Sequence, residues 1–161
     1  MASKRAGRAM SEQMALPEFL CAECRAPRVK GMTCWEMLGV LIAWEYDDPE
    51  LLAEHFLTVA SYNLQHPAQF TETALADLQA VFIERLDHGL GIAEIRRRVG
   101  KVAAGATPVL KPEAERQAVL RQWSMTIADV YLPDRPEGAA ERVRVWAAVI
   151  RREIEPFQPG R

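Results

Sequence analysis

Apolar positions along the chain recur at spacings of three and four, and no sustained run alternates with period two. That spacing belongs to helices that bury one stripe. The first helix opens at Thr33-Cys34-Trp35-Glu36, a capping box in which the threonine hydroxyl accepts from the Glu36 amide and the Glu36 carboxylate reaches back. From Cys34 to Tyr46, the side chains of Trp35, Leu38, Leu41, Ile42 and Glu45 fall at helical spacing. Asp47-Asp48-Pro49-Glu50 is a stop and a restart, with Asp48 as N-cap and Pro49 at the first helical position. The second helix is predicted from Pro49 to about Leu64, with Leu52, His55, Val59 and Tyr62 as its stripe, and Pro67 closes it near Gln65. Thr71 caps a third helix with Leu75, Leu78, Phe82 and Leu86 on its apolar face. Gly89 and Gly91 end it, and His88 beside that cap suits the helix dipole. A short helix from Ile92 to Val99 carries Arg96, Arg97 and Arg98.

Residues 100–112 read as a loop, and Glu113 to Trp123 as a further helix. Thr126 starts another, with Asp129 favourable in its first turn, and Pro133 and Pro136 interrupt. The last helix spans about Gly138 to Ile154, with Val143, Trp146, Ile150 and Ile154 facing inward. The expected fold is all-α, a compact bundle of about five or six helices. Residues 1–17 are read as a flexible tail and 18–161 as one helical domain. Phe19 to Thr33 shows no clean period; with two cysteines, Pro27 and Gly31, it reads as a zinc-knuckle-like loop.

Composition narrows the function classes. Lys plus Arg is 20 and Asp plus Glu is 22 in 161 residues, a net charge of −2. That balance disfavours a nucleic-acid binder, and a three-arginine run is more simply a solvated helix face than a phosphate contact. Trp123 and Trp146 at helical spacing read as core, since no basic groove accompanies them. The longest apolar run, Met37 to Trp44, is eight residues, against about 20 for a membrane span. The basic start (Lys4, Arg5, Arg8) has no apolar stretch after it and is not a secretory signal. The expected compartment is the cytoplasm, where thiols stay reduced. No partner is named by the sequence, and self-association into a homo-oligomer is left open.

An odd count of three cysteines is not a disulfide framework. Cys21 and Cys24 form a CxxC pair, and Cys34 follows ten positions later. Zinc takes thiolates and imidazoles at the corners of a tetrahedron, and CxxC supplies two corners from one tight turn. Ordinary buried thiols are the plainer alternative; a thioredoxin-like redox pair would need a βαβ setting that the pattern lacks. A short connection makes the first two helices antiparallel. At about 1.5 Å per residue, the second helix regains the level of Cys34 near Ser61 to Gln65, while His55 stops about 9 Å short. His66 is therefore the preferred fourth ligand. Tyr62, Gln65, Glu36 and His55 would line a small pocket or support the ligands. The leading expectation is a zinc-stabilised binding or accessory protein without catalysis. The alternative is a metal-dependent, hydrolase-like enzyme using the His/Tyr/Gln cluster.

These residues also carry a resemblance. CxxC at Cys21 and Cys24, Cys34-Trp35, Glu45-Tyr46, His55, Tyr62 and Gln65-His66-Pro67 together resemble an uncharacterised bacterial domain-of-unknown-function family, number 5946. Thr126 to Val130 and Val145 to Ala147 are similar to its C-terminal half. Arg25 stands where members of that family often carry glycine. The resemblance implies no activity.

Overall fold

Capping chemistry places four of the seven helix starts among the described residues. The computed structural model describes residues 18–105 and 108–154; the tail assigned to residues 1–17 lies outside them. Thr33 and Glu36 form the expected capping box ahead of α1 (Cys34–Trp44). Asp48 accepts from the Glu50 and Leu51 amides at the start of α2 (Pro49–Ala53). Thr71 caps α4 (Glu72–His88), which ends on Gly89 at φ 67°, the left-handed conformation glycine adopts without a Cβ clash. A second capping box, Thr126 with Asp129, opens the short α6 (Ile127–Val130). Between these lie α3 (His55–Gln65) and α5 (Ile92–Ala104), and α7 (Ala139–Glu153) closes the described chain. The described residues hold seven α-helices and no strand, so the all-α class holds.

The core is built around α3, which packs on α7, α4 and α1, while α6 sits between α1 and α7. Met37 and Leu41 of α1, Phe82 of α4 and Val143, Trp146 and Ile150 of α7 are fully buried. Each contributes about 1.5–3 kcal/mol by leaving water. No helix among the described residues is long and apolar enough to cross a membrane.

Several elements differ from the sequence reading. The helix expected from Pro49 to Leu64 is broken at Glu54, whose backbone leaves helical geometry (φ −97°, ψ 10°). As a result Leu51 faces the core and Leu52 is 55% exposed. Arg144 of α7 grips the break, bonding Glu54 at 2.8 Å and Glu50 at 2.6 Å. In α1, Met37 takes the buried position and Trp35 is 69% exposed. Helix α5 continues past Val99 to Ala104. The helix expected from Glu113 to Trp123 is absent: a single 3₁₀ turn spans Glu113–Glu115 and the chain then runs extended. Val119 and Leu120 are exposed there, so no packing rescues a helix too short to stand alone.

Candidate metal centre

The knuckle is a tight reversal. The Cys21 amide donates to the Ala26 carbonyl (2.9 Å), the Arg25 amide to the Cys21 carbonyl (3.1 Å) and the Arg28 amide to the Phe19 carbonyl (3.1 Å). This folds Cys21 and Cys24 onto one side of the turn, and the Ala26 amide donates to Cys24 Sγ at 3.5 Å. The reversal requires Arg25 at φ 62°. That left-handed geometry favours glycine, and here an arginine is held in it.

Two helix ends bring the other members. Cys34 is the first residue of α1, fixed by the Thr33 cap. His66 follows the last residue of α3. The helices are antiparallel: Glu45 after α1 meets His55 at the start of α3 (2.7 Å), while Cys34 and His66 share the opposite end. The ligand atoms of Cys21, Cys24, Cys34 and His66 all lie within 4.8 Å of one another. Cys24 Sγ is 3.6 Å from Cys34 Sγ, and Cys21 Sγ is 3.5 Å from His66 Nε2. With Zn–S near 2.3 Å and Zn–N near 2.0–2.1 Å, the edges of a tetrahedron are about 3.8 Å for S···S and about 3.6 Å for S···N. The sulfurs are far beyond disulfide length, and all three cysteines are free.

The histidine is oriented for this role. Its Nδ1–H donates to the Tyr62 carbonyl at 2.7 Å, which leaves Nε2 facing the sulfurs. Its ring stacks on Tyr62, with centroids 4.0 Å apart and planes at 20°. The clustered thiols and the imidazole shift one another's protonation. Hydrogen bonds from Cys24 and Cys34 push the Cys21 thiol far below its ordinary value, and the same contacts, with burial, push Cys34 far above. Burial works against a charged His66, yet the Cys21 and Cys24 sulfurs outweigh it and raise its pKa to about 10. Burial, aided by the nearby sulfurs, raises the Tyr62 phenol. Such a donor set can bind a metal ion.

The remaining candidates divide. Tyr62 joins Cys21, Cys34, Trp35 and His66 in lining a cavity of about 290 Å³ over the sulfurs. Glu36 does not: it is exposed and accepts from the Thr33 amide and hydroxyl, bonds that lower its pKa. Gln65 is a core bridge, 1% exposed, donating to the Met125 carbonyl (2.8 Å) and accepting from Trp146 Nε1 (3.2 Å). His55 begins α3 whereas His66 follows it, about 16 Å along the axis. Glu23, which the spacing argument passed over, joins three segments. Its carboxylate accepts from the Ala68 amide (2.9 Å) and its carbonyl from the Arg121 amide (3.1 Å). Its place inside CxxC was the only signal available.

No curated protein and no solved structure matches the chain. A family model matches residues 20–155, from the knuckle through the last helix, so the chain belongs to the family of unknown function DUF5946.

Proposed function

We propose that Cys21, Cys24, Cys34 and His66 hold one zinc ion that ties the knuckle to α1 and α3, and that the protein acts by binding and not by catalysis. The observation that carries this is the pair of ligand edges, 3.6 Å for Cys24–Cys34 and 3.5 Å for Cys21–His66, which fit a tetrahedral S₃N site. Four protein donors fill such a tetrahedron and leave no position for substrate. The binding energy of the ion then becomes folding energy for this corner. The reading places the protein in the cytoplasm, where reduction keeps thiols available, and it needs no nucleic acid or membrane.

The hydrolase-like alternative draws on the cavity over Cys21 and His66. It requires a metal-bound water in place of one protein ligand. Elemental analysis of protein purified without added metal tests the main reading, and X-ray absorption separates the two. About one zinc per chain with three sulfur neighbours and one nitrogen is expected. Metal-free protein whose melting ignores a chelator would refute the zinc site; an oxygen neighbour would move the assignment to the alternative.

A further inference from the structure

A second candidate site lies at the other end of α3. A groove of about 720 Å³ runs between α2 and the first turns of α3 on one wall and α5 on the other. Its walls are apolar: Leu52, Phe56 and Val59 face Ile92, Ile95 and Val99. Three of these are substantially exposed, Leu52 at 55%, Ile92 at 46% and Val99 at 45%. The size is that of a small-molecule site.

Two nitrogen groups interrupt the apolar lining, Arg96 and His55. Arg96 belongs to a run of three arginines. Arg97 is bonded to Glu94, and Arg98 to Glu94 and Glu84. Arg96 has no carboxylate partner among the described residues, and of the three it alone lines the groove. His55 is held from behind, its Nδ1 lying 2.7 Å from Glu45 Oε2. Glu45 is only 4% exposed, and its second oxygen is buried without a partner. A buried carboxylate with one oxygen unpaired costs stability. Its single protein contact fixes the His55 ring. Nε2 of His55 has no protein partner among the described residues, so the histidine is oriented and left available.

We propose that this groove binds a single-chain amphiphile with a carboxylate head. The apolar body would lie along Phe56, Val59, Ile95 and Val99. The head would meet the Arg96 guanidinium, whose planar fork matches the two oxygens of a carboxylate, with His55 as a second donor. The site is separate from the metal centre and does not depend on zinc.

Decanoate, titrated into the full-length, metal-loaded protein below its micelle-forming concentration, tests this by calorimetry and by amide NMR shifts. Saturable binding of about one molecule per chain is expected, with shifts concentrated in α2, α3 and α5. Decanol should bind at least about tenfold more weakly. Arg96→Ala should weaken decanoate at least about tenfold and His55→Gln about threefold, both leaving the circular dichroism spectrum unchanged, the first because Arg96 is exposed and the second because a glutamine amide can still donate to Glu45. Val59→Trp should fill the groove and abolish binding. Absence of saturable binding, equal affinity for decanol, or indifference to Arg96→Ala would overturn the proposal. So would a concentration-dependent dimer dissolved by Val99→Glu, which would assign the groove to a second copy of the chain.

Discussion

Gln65→Leu separates a structural role for this residue from a role at the metal. The amide is fully buried and spans the core, from the Met125 carbonyl on one side to the Trp146 indole on the other. Leucine fits the volume but pairs with neither. It strands an indole N–H on a side chain that is 0% exposed, and also a main-chain carbonyl. Each orphaned neutral group costs about 1–3 kcal/mol. Two of them, less roughly 1 kcal/mol for the extra apolar burial, give a net loss of about 1–5 kcal/mol. At about 3 °C per kcal/mol for a chain of this length, that is a fall of about 3–15 °C in Tm. Urea unfolding followed by tryptophan fluorescence measures it. Trp146→Phe removes the stranded N–H, so the double-mutant cycle should return a coupling of about 1–2 kcal/mol. Zinc content should stay at that of the parent protein. A Gln65→Leu loss below about 0.5 kcal/mol would refute the accounting, and a fall in bound zinc would return Gln65 to the metal site.

Other expectations follow from single features. Thr33→Ala deletes the cap of α1 and should cost about 1 kcal/mol, read from urea unfolding of the metal-loaded protein. Arg25→Gly relieves the left-handed residue at φ 62° and should stabilise by about 0.5–1 kcal/mol, while Arg25→Ala should not; equal effects would exclude backbone strain. Cys34→Ser should lower zinc per chain and make Tm insensitive to a chelator, measured by elemental analysis and calorimetry. Burial raises the Glu45 carboxyl above 4.5, with His55 opposing. The folded state therefore binds more protons than the unfolded state in the window just above 4.5, and stability falls as pH rises through it. Glu45→Gln should flatten that slope; an unchanged slope in denaturation at stepped pH would dismiss the assignment.

Helix starts were legible because capping is local chemistry: Thr33, Asp48, Thr71 and Thr126 announce themselves within four residues. The break at Glu54 was not, because it sits opposite Arg144, ninety residues away. The expected helix after Glu113 failed for a related reason. Its propensity was adequate, but the fold offers Val119 and Leu120 nothing to pack against. At the candidate site, thiol spacing and the antiparallel hairpin were enough to group the four side chains that the structure places together. Gln65 bridges the core, which sequence proximity to His66 could not show because it carries no information on which way a side chain turns; Glu36 keeps the capping role its spacing from Thr33 predicted and takes no place in the cavity.

Glu23 has a consequence beyond the knuckle itself. Its main chain holds the Arg121 amide, and Arg121 in turn lies over the Trp123 ring at 4.1 Å. The extended run before Trp123 is otherwise exposed and contains Arg116 and Arg121. The turn between Cys21 and Cys24 is one of two ties on that run; the other is Glu153 of α7, which accepts from the Arg121 guanidinium and the Ser124 amide. Loss of the knuckle would thus be felt about a hundred residues downstream, as one of two anchors of an exposed segment released. The state of the three thiols is in this way coupled to local opening of a segment that none of them touches in sequence.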